Sequence, residues 1–225
     1  MNFVVLSAPD DPDADFDDPT DTATSDVLDD PMAYRELALQ WAMVQRGIRS
    51  IGPDFENWIL ENGSASELNS DTANVGSIVM PGNADIITRM VIEGSVQEID
   101  AGMLRHTTIV GDAGDVDLTG SAIMVDVLGD LGSLNAERVI RLNVEGDAGD
   151  LSAQDFISVD IAESVRTMSA SNRIVRADIG GGAGFVSAGS MVNQLSVDDG
   201  MVSLTSEHLR NVSVGGGIGL IVDAD

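Results

Sequence analysis

The side chains best suited to chemistry are aspartates that recur at a nearly constant spacing. Asp112, Asp130 and Asp147 are separated by 18 and 17 residues, and Asp115 and Asp150 follow the first and the third of them by three residues. If the fold stacks these carboxylates about 5 Å apart, they repel each other at neutral pH. A divalent cation that prefers oxygen ligands would relieve this repulsion. The five aspartates therefore suggest Ca²⁺ as the one candidate cofactor, although the nine-residue calcium repeat GGxGxDxUx is absent.

Signatures of an enzyme are otherwise sparse. The glycine runs 180–184 and 215–219 lack the Lys-Ser/Thr pair and the following helix of a phosphate-binding loop. Polysaccharide-cleaving enzymes use paired carboxylates in a cleft, but aromatic residues that could stack on sugars make up only 4% of this chain. The two histidines, His106 and His208, lie far apart in the sequence. We therefore expect no enzymatic activity, with a polysaccharide-active enzyme as the least favoured alternative.

The aspartates belong to a longer repeat that begins near residue 86. Equivalent positions of successive units, anchored on the first glycine of the segment GDLGSL, are separated by 17 or 18 residues. A fixed period of this kind indicates a repeat architecture, in which each unit packs against its neighbours. Glycines at the anchor and three residues later predict a corner with unusual backbone angles. The eight anchor positions are Gly94, Gly111, Gly129, Gly146, Glu163, Gly181, Asp199 and Gly216.

Four positions of the unit are apolar in every copy, and they predict the fold. They lie seven and two residues before the anchor and two and five residues after it. These short spacings and the β-branched residue types favour strands over helices. Because a unit is too short for a strand and a helix, the sequence predicts a mostly β chain that forms a parallel β-helix, or β-solenoid. It would have 17 to 18 residues per coil and about eight coils, and its spacing favours a right-handed coil over the left-handed hexapeptide type.

The chain before the repeat divides into three segments. Residues 1–30 are an acidic arm that we expect to be flexible, because ten aspartates and no basic residue lie between positions 9 and 30. Residues 31–63 predict a short helical pair, from 31 to about 48 and from 54 to about 62, that caps the solenoid. Residues 64–85 form a linker and an irregular first coil, and residues 86–225 form the parallel β-helix.

The charge balance of the chain limits its partners. The formal net charge is −27, from 38 acidic residues against 11 basic ones. Such a surface repels nucleic acid and anionic membranes, and no apolar run reaches the length of a membrane-spanning helix. We therefore expect no nucleic-acid partner and no membrane insertion. A glycine-rich, acidic chain without cysteine favours an extracellular or cell-surface location, with a cytoplasmic location as the alternative.

The repeat units resemble those of short-coil bacterial β-solenoids. The segments that carry the resemblance are GDAGDVDL at 111–118, GDLGSLNA at 129–136 and GDAGDLSA at 146–153. Two groups are similar: the bactofilins, which are cytoskeletal and polymerise end to end, and large secreted surface proteins with GDLGSL-type repeats. The resemblance extends over residues 86–225 and implies a structural role without a catalytic motif.

Two apolar segments predict self-association. The run Phe3, Val4, Val5 and Leu6 heads the acidic arm and suits addition as a strand to an exposed sheet edge. Leu220, Ile221 and Val222 lie in the final coil, whose edge we expect to pair with another protomer. The sequence thus favours a non-enzymatic structural or assembly protein, a β-solenoid rod that joins copies of itself or other surface proteins. The alternative is an acidic adhesin-like or calcium-dependent binding module.

The calcium hypothesis predicts a stabilised protein in the presence of the ion. Ca²⁺ bound between the stacked aspartates stabilises the folded chain by mass action, so the melting temperature should rise in millimolar Ca²⁺. Differential scanning fluorimetry with and without the ion measures this change, and Mg²⁺ at equal concentration controls for screening. An unchanged melting temperature at millimolar Ca²⁺ contradicts the hypothesis.

Overall fold

The computed structural model of the chain describes residues 48–51, 57–59, 67–70, 74–80 and 85–223. Most of these residues lie in strands that are hydrogen-bonded into one continuous sheet. The strands are β1 (Ile48–Ile51), β2 (Asn57–Ile59), β3 (Glu67–Ser70), β4 (Val75–Val79), β5 (Ile86–Ile92), β6 (Val96–Ala101), β7 (Met103–Ile109), β8 (Ala113–Leu118), β9 (Ser121–Val127), β10 (Leu131–Val144), β11 (Ala148–Phe156), β12 (Val159–Ile161), β13 (Val165–Ile174), β14 (Ala177–Ile179), β15 (Ala183–Ala188), β16 (Met191–Val192), β17 (Leu195–Val197), β18 (Gly200–Ser206), β19 (His208–Leu209), β20 (Val212–Val214) and β21 (Gly217–Asp223).

The strands form a parallel β-solenoid of about eight turns, which confirms the predicted fold class. Strands of one turn pair in parallel with those of the next, and the paired residues lie about one repeat apart. Leu134 of β10, for example, pairs with Val116 on one side and with Leu151 on the other. The right-handed sense of the coil stays a prediction.

Each turn has three faces, which the long strand β10 illustrates. Its residues 131–136 pair with β8 and β11 and belong to face 1. Residues 138–139 pair with β9 and β11 and belong to face 2. Residues 142–144 pair with β9 and β12 and belong to face 3. Because equivalent residues stack at the strand spacing of about 4.8 Å, each position of the repeat becomes a column along the axis.

The core consists of inward columns, and two of them were missed by the sequence analysis. The four predicted columns are represented in β10 by Leu131, Leu134, Val139 and Val144, all of them buried. One missed column lies four residues before the anchor and contains buried Met90, Thr107, Val125, Leu142, Val159, Ala177 and Leu195. The other lies seven residues after it and contains buried Ala101, Leu118, Ala136, Ala153, Ala170, Ala188 and Ser206. Alanine and serine give the second of these columns a weak apolar signal, whereas the first is interrupted by Thr107.

The predicted reason for the corner glycines is wrong. Among the described glycines only Gly217 has a positive φ, at 135°, so the corners do not depend on unusual backbone angles. They depend instead on close stacking. A Cβ built on Gly129 would lie 2.8 Å from the carbonyl carbon of Gly111, and one on Gly132 would lie 2.9 Å from the carbonyl oxygen of Gly114. Glycine is favoured at these two positions because the preceding coil leaves no room for a side chain.

The second predicted helix is also wrong. Asn57–Ile59, in the middle of the stretch from 54 to about 62, is strand β2 and pairs in parallel with β4. The aromatic and β-branched types of Trp58 and Ile59 suit a strand, and the edge of β4 offers backbone groups that a helix would leave unpaired. The first predicted helix lies outside the described residues except for its last position, Ile48, which begins β1.

Parallel pairing begins upstream of residue 86. β3 lies within the predicted linker and pairs with β1 before it and β5 after it. β4 lies within the predicted irregular first coil and pairs with β6. The acidic arm of residues 1–30 lies outside the described residues.

Candidate functional site

The predicted aspartate column exists, and its carboxylates bind the backbone of the following coil. The Asp112 Oδ1 accepts a hydrogen bond of 2.9 Å from the Asp130 N–H. The Asp130 Oδ1 accepts one of 2.8 Å from the Asp147 N–H, and the Asp147 Oδ1 accepts one of 2.9 Å from the Ser164 N–H. Each aspartate thus satisfies a backbone donor at a corner where the strands are interrupted.

This column extends in both directions beyond the aspartates. The Asn74 Oδ1 accepts from the Ser95 N–H at 2.9 Å, and the Ser95 Oγ accepts from the Asp112 N–H at 2.9 Å. At the other end the Ser164 Oγ accepts from the Gly182 N–H at 3.2 Å. We call the row of Asn74, Ser95, Asp112, Asp130, Asp147 and Ser164 the corner ladder. Its hydrogen-bonding role was missed, although Asn, Ser and Asp in one column are the residues whose short side chains bind nearby backbone groups.

In the second predicted column, with Asp115 and Asp150, hydroxyl residues flank Asp150, whereas Glu98 lies directly before Asp115. Ser133 lies between the two aspartates and donates from its Oγ to the Asp115 Oδ1 at 2.7 Å. The Thr167 Oγ1 donates to the Asp150 Oδ1 at 2.6 Å. Arg166 donates to the same carboxylate from its Nε at 2.9 Å and also from its Nη2. These hydrogen bonds from Arg166 and Thr167 lower the pKa of Asp150.

Three acidic side chains on the outer side of face 1 repel each other. Asp100 and Asp117 are paired across β6 and β8, and Glu98 lies on the same strand as Asp100. Burial, then the charges of Asp117 and Glu98, raise the pKa of Asp100. The Asn135 Nδ2 donates to the Asp117 Oδ1 at 2.8 Å. The acidic patch of Glu98, Asp100 and Asp117 thus receives an amide donor from the next coil, and the Ser77 Oγ of the preceding coil donates to the Glu98 Oε2 at 3.2 Å.

The calcium hypothesis stays a prediction. The structure aligns Asp112, Asp130 and Asp147, but it gives one oxygen of each to a backbone N–H. In the part of the chain that the structure describes, no group of three or more His, Cys, Asp and Glu side chains could hold a metal ion. His106 and His208 are both exposed and lie on separate strands, β7 and β19.

A buried carboxylate that the sequence analysis missed joins three coils on face 2. Asp155 is only 3% exposed, and its Oδ1 accepts from the Arg173 Nε at 3.1 Å and from the Asn172 Nδ2 at 2.8 Å. Its Oδ2 accepts from the Arg138 Nη2 at 3.4 Å. The register of β11 against β13 shifts just before Asp155. The three donors compensate the burial of this charge, and no sequence period could have revealed them.

A second arginine pair lines a cavity at the corner between faces 2 and 3. The cavity has a volume of about 230 Å³ and is mostly polar. Arg176 lies 3.9 Å from the Asp178 carboxylate, and both side chains are about half exposed. The lining residues are Arg141, Leu142, Asn143, Ser158, Val159, Asp160 and Arg176.

Exposed apolar side chains gather on face 1 of the last three coils. Phe185 and Leu220 share a column with Ser203 between them, and they are 57% and 58% exposed. Val202 and Val222 are also exposed. Val202 lies beside Ser203 on β18, and Val222 lies on β21 with Leu220. We call Phe185, Val202, Leu220 and Val222 the apolar patch. Of the residues predicted for assembly, Leu220, Ile221 and Val222 are thus exposed, and Phe3 to Leu6 lie outside the described residues.

Comparisons with known proteins leave the family open. No protein-family model, curated protein or solved structure matches the chain. The resemblances to bactofilins and to GDLGSL-type surface proteins therefore stay predictions. Among the described residues, no helix is long and apolar enough to cross a membrane.

The corner ladder predicts that residue 130 needs an acceptor and not a charge. Asp130→Ala removes the acceptor of the Asp147 N–H, whereas Asp130→Asn keeps an acceptor oxygen and relieves repulsion within the column. We expect the free energy of unfolding of Asp130→Ala to be about 1 kcal/mol lower than that of Asp130→Asn, as measured by urea denaturation. Equal free energies of unfolding for the two variants would show that the hydrogen bond contributes nothing.

The raised pKa of Asp100 predicts a stability that depends on pH. A carboxyl group of this kind contributes fully to stability below its unfolded pKa, near 3.8, and this contribution is lost as the pH rises through the higher folded pKa. Asp100→Asn should therefore raise the melting temperature at pH 7, with a difference that shrinks towards pH 4.

Asp150 provides a matched control, because its pKa is shifted in the opposite direction to that of Asp100. Its lowered pKa gives a contribution that is present above the unfolded pKa and is lost as the pH falls through the folded value. Asp150→Asn should therefore lower the melting temperature at pH 7. A lower melting temperature for Asp100→Asn at pH 7 would contradict the prediction.

Proposed function

We propose that the protein is a non-enzymatic structural scaffold that self-associates, or forms part of an extracellular or cell-surface assembly. The observation that carries this proposal is the corner ladder, because the side chains best suited to chemistry bind the backbone of the next coil. The second column, with Asp115 and Asp150, likewise binds hydroxyls and an arginine of the next coil. Polar groups held in this way stabilise a rod and are poorly placed to bind a substrate.

The apolar patch supports self-association as the way in which the scaffold assembles. Exposed apolar surface of this kind is characteristic of interaction sites. The rest of the outer side of face 1 changes from carboxylates near Glu98 and Asp100 to hydroxyls near Ser169 and Ser187. Two copies that meet through the apolar patch keep their acidic ends apart, which limits the repulsion that a net charge of −27 imposes.

A specific observation favours the alternative of an acidic binding module. Burial raises the pKa of Asp100, and repulsion from Asp117 and Glu98 in the acidic patch raises it further. A cationic partner that binds there would relieve this repulsion. Such a module would act as a single copy, so the oligomeric state distinguishes it from the scaffold.

Light scattering coupled to size-exclusion chromatography tests the scaffold. We expect wild-type particles larger than the 23.5 kDa chain, and we expect Phe185→Ser with Leu220→Ser to shift them towards that mass. Ile140→Ser is the matched control, since Ile140 is exposed but lies outside the apolar patch. Deletion of residues 1–8 tests separately whether Phe3 to Leu6 act as a donated strand.

Two results would overturn self-association through the apolar patch. One is a wild-type protein that stays at the mass of one chain at every concentration. The other is a Phe185→Ser, Leu220→Ser variant that assembles as the wild type does. Electron microscopy of the same samples distinguishes filaments or rings from single short rods.

A further inference from the structure

We propose that Arg141 and Arg176 bind the carboxylate of a small hydroxylated acid above Ser158. The cavity that these residues line lies at the corner between faces 2 and 3 and opens to solvent. It concentrates positive charge in a chain that has 11 basic residues and a net charge of −27. This site is separate from the apolar patch and does not depend on self-association.

The protein contains its own example of the proposed interaction. On face 2, Arg138, Asp155 and Arg173 occupy one column on three successive coils. Both arginines donate to the central carboxylate, at 3.4 and 3.1 Å. Two arginines that are two coils apart can therefore hold one carboxylate between them in this fold.

The cavity repeats this arrangement without the central carboxylate. Three residues further along the same coils, the column contains Arg141, Ser158 and Arg176. Its register follows from the backbone hydrogen bonds of Leu142 to Ser158 and of Val159 to Arg176, both 3.0 Å long. Ser158 thus occupies the position that Asp155 has in the neighbouring column, and its shorter side chain leaves space for a ligand. Among the described residues Arg141 forms no ion pair, and Arg176 has only the exposed contact with Asp178, which contributes little.

Charge and volume define the ligand class. A polyanion is repelled by the net charge of −27, whereas a single carboxylate can accept charge-assisted hydrogen bonds from guanidinium groups on either side of it. Asn143 and Asp160 line the same cavity and can bind hydroxyl groups on the other end of the ligand. The volume of about 230 Å³ lies below the range of roughly 300–1,000 Å³ that drug-sized ligands occupy. These properties fit a sugar acid, either free or as the one acidic unit of an otherwise neutral chain.

Amide chemical shifts under titration with sodium glucuronate test the site. We expect saturable shifts at Ser158, Val159 and Arg176, and none from glucose, which lacks the carboxylate. Arg141→Gln with Arg176→Gln should weaken binding about tenfold or more, as expected for lost charge-assisted hydrogen bonds. Arg105→Gln is the control, because Arg105 is exposed but does not line the cavity. A neutral oligosaccharide that carries a single glucuronate unit identifies a chain as the source if it binds more tightly than glucuronate, and equal affinity identifies the free acid.

Ser158→Asp provides a second test that does not remove an arginine. The new carboxylate should occupy the site as Asp155 does in its column, so that glucuronate binding is lost and the melting temperature rises. The proposal is overturned if Ser158→Asp or the double arginine variant binds glucuronate as the wild type does. It is also overturned if glucose gives the same shifts, or if inorganic phosphate displaces glucuronate at equal concentration.

Discussion

Stacking of like residues at the strand spacing is the constraint on which the rest of this structure depends. The equivalent residues of the neighbouring coils lie about 4.8 Å above and below each residue. A residue type at one position of the repeat must therefore be able to pack against the residues at the same position in the coils on either side. Apolar residues stack into continuous internal columns without difficulty. Polar and charged residues do not, since identical carboxylates in a row repel each other. Much of the outer surface can be understood as a set of solutions to that problem.

The polar columns use three such solutions. In the corner ladder, aspartates follow one another, but each binds a backbone N–H of the next coil. In their own column, Ser133 separates Asp115 from Asp150, and Thr167 follows Asp150. On face 2, two arginines enclose the buried Asp155. The acidic patch around Asp100 has the weakest solution: burial raises the pKa of Asp100, and the charges of Asp117 and Glu98 raise it further.

The fold could be predicted from the sequence because a period repeated eight times averages out local ambiguity. Leu131 or Val144 alone would predict little, but their columns predict strands in every coil. The prediction was wrong upstream of residue 86, where the sequence does not follow the regular repeat. Trp58 and Ile59 were assigned to a helix, although they lie in β2. The aspartate columns were predicted correctly, but their hydrogen bonds were not, since a column gives positions and not the partner of each oxygen. The Asp155 cluster depends on residues of three coils whose types do not repeat.

The corner ladder has a direction, and this direction bears on how the chain folds. Every side-chain acceptor belongs to the earlier coil, and every N–H that it binds belongs to the later one. A completed coil therefore already presents the oxygen that its successor needs, whereas the successor offers no such acceptor in return. In a protein whose units interact only with their neighbours, structure can spread from any formed unit. Here the ladder favours growth from the amino-terminal side, which is the order in which a ribosome releases the chain.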